Sequence, residues 1–245
     1  MTRADSDSAS PAIQAEGLTK TFGFNLALRG IDLEIEEGDS LVVFGPNGAG
    51  KSTLIKILST AMNPSSGSLV FRGRDLKNSA EEIRREIGLV SHQTLLYNNL
   101  TAYENLDFYA RMYDVPGRDA RITEVADMVG VTSRLNDRVG TLSRGLQQRV
   151  SVARALIHKP SIMLLDEPET GLDQEAITSV WDALESEKGI NRTIVFTTHN
   201  LELGLKNCRR LMILDNGKIA YQGTGDGLDL TALRETYRLN TRVSV

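Results

Sequence analysis

Short apolar runs recur along this 245-residue chain and are interrupted once by a long stretch of a different rhythm. Ile31-Asp32-Leu33-Glu34-Ile35-Glu36 alternates residue by residue, which predicts a strand with one wet face, turning at Glu37-Gly38-Asp39. Ser40-Leu41-Val42-Val43-Phe44 is apolar throughout, the mark of a strand buried on both faces. Strand-like runs return at Ser68–Phe71, Ile87–Ser91, Ile162–Leu165 and Thr193–Thr197. Leu211–Leu214 and Lys218–Tyr221 flank Asp215-Asn216-Gly217, a hairpin signal. Between Leu95 and Pro160 the strand rhythm gives way to helical spacing. Leu106, Tyr109, Ala110 and Tyr113 share a face, as do Ile122, Val125, Ala126 and Val129, with Gly130 as a stop. Val150, Ala153 and Ile157 repeat the spacing, and Trp181 beside Ile177 and Leu184 reads as core packing. The pattern predicts an α/β core with antiparallel strands first, a mostly parallel sheet after them, and a helical insert.

Composition narrows the class. The formal net charge of -4 gives no basic footprint for nucleic acid. No apolar stretch approaches the roughly 20 residues that span a bilayer. Met1 to Pro11 is polar and Ser/Asp-rich, which predicts a disordered tail and no signal peptide. Cys208 is the single cysteine, so no intrachain disulfide is available. These features predict a cytosolic setting.

The candidate chemistry begins right after the first buried strand. Gly45-Pro46-Asn47-Gly48-Ala49-Gly50-Lys51-Ser52-Thr53 matches G-x-x-x-x-G-K-[ST], the phosphate-cradling P-loop. Its glycines let backbone N–H groups turn inward around phosphate oxygens. Lys51 is placed for the β- and γ-phosphates and Ser52 for Mg²⁺. The helix predicted from near Gly50 through Leu54, Ile55, Leu58 and Met62 aims its positive end at the same anion. A glycine turn that binds nothing would not need the Lys-Ser pair.

Asp166 closes the apolar run Ile162–Leu165. A carboxylate at a buried strand end beside a P-loop can hold Mg²⁺. Glu167 follows it and is suited to orient or deprotonate an attacking water. Helix capping would explain either acid alone, but less readily the pair between an apolar run and Pro168. His199 lies beyond Thr193–Thr198, again at a strand end. Upstream, Leu142-Ser143-Arg144-Gly145-Leu146-Gln147-Gln148-Arg149 resembles the signature sequence of ATP-binding cassette (ABC) proteins.

From about Ile13 to Gly223 the order of these elements resembles the nucleotide-binding subunit of an ABC transporter. The resemblance implies ATP and Mg²⁺ as ligands. It places Phe22 at the adenine-stacking position, where ordinary core packing is the bland alternative. It makes Gln93 the Q-loop glutamine, touching Mg²⁺ and the attacking water. Glu169-Thr170-Gly171-Leu172-Asp173 looks like the D-loop, and His199 like the switch histidine sensing the γ-phosphate. The signature departs from Leu-Ser-Gly-Gly-Gln, with Arg144 for the first Gly and Leu146 for the Gln. Ser143 and Gly145 remain to meet a γ-phosphate. One P-loop and one signature per chain imply a homodimer or a homologous ATPase partner, because in this family each P-loop faces the other subunit's signature. Transmembrane permease subunits would then carry the transport path, with this chain peripheral on the cytoplasmic side.

The implied layout is a tail over 1–11, a nucleotide-binding domain over 12–225 with its helical insert at about 94–160, and a short extension over 226–245. The stretch Ser91–Arg111, with Ser143–Arg149, resembles exporter-type ATPases of the ABC-2 group. Within that group it looks most like the ATP-binding subunit of the haem exporter of cytochrome c maturation. Drug, polysaccharide or lipid export stays open. So does a soluble ABC ATPase of iron–sulfur assembly, whereas the repair type lacks its coiled-coil heptads here and the translation type its second cassette. A P-loop kinase or GTPase does not account for the signature and the Asp166-Glu167 pair.

Overall fold

The computed structural model describes residues 10–186, 190–225 and 227–241. Most of the predicted tail lies outside these residues. Two sheets carry the fold. The first is antiparallel, in the order β2 (Asn25–Ile35), β1 (Ile13–Phe22), β4 (Ser66–Phe71), β5 (Arg74–Asp75). The second runs β10 (Lys218–Thr224), β9 (Arg210–Asp215), β3 (Ser40–Phe44), β8 (Thr193–Thr197), β7 (Ile162–Asp166), β6 (Ile87–Val90). All its pairings are parallel except the β9–β10 hairpin. Asn216 and Gly217 turn that hairpin with φ of 47° and 75°, the left-handed pair that a two-residue loop needs.

Strands β3, β7, β8 and β9 of the second sheet are buried on both faces, which explains their uninterrupted apolar runs. Leu41, Val43, Leu164, Val195, Met212 and Leu214 face one core, shared with the antiparallel sheet and α1 (Lys51–Leu58). Val42, Phe44, Met163, Leu165, Phe196 and Ile213 face a second core under the helices. These helices are α3 (Ala102–Met112), α4 (Arg118–Met128), α5 (Arg144–Leu156), α6 (Gln174–Glu185), α7 (Leu201–Lys206) and α8 (Leu230–Asn240). Trp181 sits in this core, edge-on to Phe196 at 4.7 Å between ring centroids.

Helix α1 is shorter than its apolar spacing predicts. Thr60 adopts a left-handed φ of 61° and the Met62 N–H closes on the Lys56 carbonyl at 3.0 Å, so the last turn is capped before Met62. Helix α2 (Leu76–Glu86) gave no sequence signal. Only Ile83 of its residues is buried, and the Asp75 side chain caps it at the Lys77 N–H.

Candidate functional site

The ends of β3, β7 and β8 converge beside the start of α1, because parallel neighbours in one sheet end on the same edge. At Gly45 the chain leaves β3 with φ of 150°, and a Cβ there would stand 2.2 Å from the Leu214 carbonyl. Only glycine fits that approach. Around Gly48 the space is open, with no atom within 4 Å of where a Cβ would stand. Gly50 caps α1 without a side-chain hydrogen bond. The first-turn N–H groups of α1 are thus left to donate to an anion.

Lys51 is buried, and its ammonium donates to the carbonyls of Gly45 at 2.7 Å and Pro46 at 3.2 Å. Burial lowers its pKa below the ordinary lysine value, while the nearby charges of Glu167 and Asp166 oppose that shift. A phosphate at the open loop would give this cation the counter-charge that its burial lacks.

Asp166 is buried, and its Oδ1 accepts from Ser52 Oγ at 3.0 Å and from Thr197 Oγ1 at 2.8 Å. A carboxylate and a serine hydroxyl joined in this way form a hard-oxygen donor pair. Magnesium bound together with phosphate oxygens takes one or two such groups from a protein, so the residues present fit it.

Glu167 is the next residue and takes a left-handed φ of 51°, rare outside glycine and asparagine. Its N–H donates to the Thr197 carbonyl at 3.2 Å and to Thr197 Oγ1 at 3.0 Å. One threonine therefore orders both acids. Sequence reasoning passed over Thr197, although it closes the apolar run that pointed to His199. The strained backbone turns Glu167 toward His199, whose Nε2 lies 2.6 Å from Glu167 Oε1. A carboxylate held by an imidazole at the mouth of a phosphate loop can orient water for attack.

An open cleft of 330 Å³ lies over this edge. It is lined by Asn47, Gly48, Ala49, Gly50, Lys51, Ser52, Thr53 and Glu167, and across from them by Phe22 with Asn25 to Ala27. Phe22 is 46% exposed, so core packing does not account for it. Its ring carries Lys20 Nζ 5.3 Å from the centroid. Asn216, from the β9–β10 turn, also lines the cleft and carried no sequence signal as a site residue.

Other predicted residues gather elsewhere. Ser143 is exposed and caps α5, accepting from the Leu146 N–H at 3.3 Å. Gly145 lies against the loop after Glu167, its Cβ position 3.0 Å from the Gly171 carbonyl. Asp173 ends that loop, caps α6 at the Ala176 N–H, and lies 3.9 Å from Arg149. Gln148, buried in α5, donates to the Pro168 carbonyl at 3.3 Å. Gly145 thus adjoins the loop after Glu167 and Asp173 belongs to it, Ser143 lies two residues before Gly145, and none of the three lines the cleft. Gln93 is exposed after β6 and does not line the cleft either.

Known proteins resemble this chain in sequence and in fold. The family described as "ABC transporter" matches residues 28–170. A second, described as "AAA domain, putative AbiEii toxin, Type IV TA system", matches residues 138–206. The linearmycin resistance ATP-binding protein LnrL of Bacillus subtilis is 33% identical over 86% of this chain and 69% of its own length. The daunorubicin resistance ATP-binding protein DrrA3 of Streptomyces coeruleorubidus is 34% identical over 90% and 70%. Among solved structures, the dimeric post-hydrolysis state of the cassette MJ0796 bound to ADP and Pi superposes with a TM-score of 0.81. It is 28% identical and covers 88% of this chain and all of that one. The chain belongs to the ABC transporter family and is one of its ATPase cassettes.

Proposed function

We propose that this chain is the ATP-hydrolysing subunit of an export-type ABC transporter that moves an antibiotic or drug-like molecule. The observation that carries the reading is the separation of two half-sites on one chain. The cleft holds the phosphate loop, Phe22 and Glu167, whereas Ser143, exposed, and Gly145, half-buried against Gly171, lie outside its lining. A second copy, or a homologous subunit, would bring its Ser143–Gly145 face over this chain's cleft and so close two sites at once.

In that closed state Phe22 stacks on the adenine and the loop from Gly45 to Thr53 wraps the phosphates. Lys51 turns from its own loop carbonyls to the β- and γ-oxygens. Ser52 and Asp166, with Gln93 brought in on closure, would hold a magnesium ion, which would supply charge neutralisation for the phosphates. Glu167 takes up the proton of the attacking water, and His199 steadies both Glu167 and the γ-phosphate. Ser143, Gly145 and Asp173 of the opposing copy complete the enclosure. Phosphoryl transfer needs little beyond such positioning and charge stabilisation.

No helix among the described residues is long and apolar enough to cross a membrane. From the family to which the chain belongs, the transport path is assigned to transmembrane permease subunits, with this chain peripheral on the cytoplasmic face. Leu95 and Tyr97, beside Gln93, are 43% and 52% exposed, which suits a surface that receives such a partner. Haem export for cytochrome c maturation is the narrower reading suggested by Ser91–Arg111. The relatives named for linearmycin and daunorubicin resistance support a drug-like cargo instead.

The test is Glu167→Gln. The amide keeps the shape and removes the base. The variant should bind ATP, fail to hydrolyse it in a single turnover, and accumulate as an ATP-bound dimer on size-exclusion chromatography. A near-normal single-turnover rate removes Glu167 from the role, and a variant that stays monomeric with ATP overturns the two-half-site reading. For the cargo, ATPase stimulation of the membrane complex by daunorubicin but not haem supports drug export; the reverse restores haem.

A further inference from the structure

Glu169 has no part in the roles assigned above, yet it is placed between them. It follows Pro168, two residues after Glu167, and opens the loop that runs to Asp173. Its side chain does not point to solvent. Oε1 accepts a short hydrogen bond from Thr198 Oγ1, and Oε2 is buried without a hydrogen-bond partner. Thr198 is fully buried, and the same hydroxyl accepts from the Asn200 N–H at 2.9 Å. The Thr198 hydroxyl therefore fixes the turn from both ends, and His199 sits at its centre.

The two acids divide this turn between them. Glu167 reaches the imidazole of His199, and Glu169 reaches the hydroxyl of the residue before it. Burial, with the charge of Glu167 added, raises the Glu169 pKa above the usual carboxylate range, against the hydrogen bond from Thr198. A buried acid with one oxygen unpartnered costs stability. Such a group fits a positioning task better than a packing one.

We infer that Glu169 is a positioning residue: through the Thr198 hydroxyl it fixes the turn carrying His199. It thereby links the 169–173 loop, which adjoins Arg144 and Gly145, to the Glu167–His199 pair. The inference rests on the reading that Glu167 and His199 act on ATP. The motion of the 169–173 loop when two copies close then reaches His199 through one hydroxyl. A misplaced His199 leaves nucleotide binding alone and slows the chemistry.

The experiment measures kcat and KM for ATP in the full chain, alone and in its membrane complex. Glu169→Ala should lower kcat by about ten- to hundredfold while KM moves less than about threefold. Glu169→Gln, whose amide oxygen still accepts from Thr198, should recover most of the rate. Thr198→Val should reproduce the loss and Thr198→Ser restore it. Glu169→Ala combined with Thr198→Val should be no worse than either alone. Thermal melting screens each variant for folding. Should Glu169→Ala not fold, the Thr198 pair decides the matter. A wild-type kcat in Glu169→Ala or Thr198→Val overturns the inference, as does a Glu169→Gln variant as slow as Glu169→Ala. If instead Glu167→Gln hydrolyses ATP normally, the underlying assignment of the base fails, whatever Glu169 does.

Discussion

His158 offers a quantitative test of how the helical insert is held to the sheet. It lies just past α5 and stacks on Tyr113, just past α3, with ring centroids 3.9 Å apart and planes at 7°. Its Nε2 is 3.1 Å from the Ile87 carbonyl, at the start of β6. One ring thus joins two helices of the insert to the sheet edge that leads to Gln93. Its Nδ1 is buried without a partner. Burial brings the imidazole down to about 4, with Arg154, Arg121 and Arg192 adding to the effect and the Ile87 carbonyl opposing it. Above its ordinary value of 6.5 the ring is neutral in both folded and unfolded chains. As pH falls through 6.5 the unfolded chain takes up a proton that the folded one refuses until about 4. Stability is therefore present above 6.5 and drains away toward 4. The whole window is worth about 3 kcal/mol, and the part between about pH 7 and pH 5 about 2 kcal/mol. His158→Phe keeps a ring against Tyr113 and removes the titration. Urea unfolding of wild type and variant at both pH values isolates the effect, since every other titrating group is common to the two. Wild type should lose about 2 kcal/mol more than the variant on acidification. Equal losses would refute the claim that His158 is held neutral by its surroundings.

Three further outcomes follow from the site. Lys51→Ala should weaken ATP binding by about 2 kcal/mol, roughly thirtyfold in Kd, because charged hydrogen bonds to the phosphates are lost; isothermal titration with unchanged affinity would contradict this. Phe22→Ala should weaken ATP by about three- to tenfold, the value of one aromatic stack, with Phe22→Tyr near wild type. Inorganic triphosphate, which has no base to stack, should bind both variants alike. Tyr97→Glu or Phe108→Glu should leave ATP binding by the isolated subunit unchanged and reduce its assembly with membrane subunits in pull-down. The two rings pack edge-on at 5.4 Å and are 52% and 42% exposed. Leu96 is a poor choice for the same experiment, because it packs against the helical core.

The parts of this protein that could be read from its residues are those where local chemistry and the fold make the same demand. A parallel strand buried on both faces must be apolar throughout, so Ser40–Phe44 and Ile162–Leu165 stood out. The phosphate loop stood out because Gly45 and Lys51 have no substitutes at their positions. Strand β1 was harder to see. Ile13, Ala15 and Leu18 all face the core, but the pairing with β2 shifts between Ala15 and Leu18. Gly17 takes a φ of 56° within that shift, and the bulge breaks the alternation by which a strand is recognised. Helix α2 was invisible for the opposite reason, having a cap but almost no apolar stripe. At the site, motif residues announced themselves singly, but their grouping did not. Nothing in the order Ser143, Gly145, Asp173 says that Gly145 packs against Gly171 in the loop that Asp173 ends. Thr197 and Glu169 were missed because each acts through a neighbour, one by ordering Asp166 and Glu167, the other by holding Thr198. A threonine or glutamate of that kind has no motif of its own. Its role exists only in the distances between strands that the chain brings together from 30 residues apart, as the contact from Thr197 to Glu167 shows.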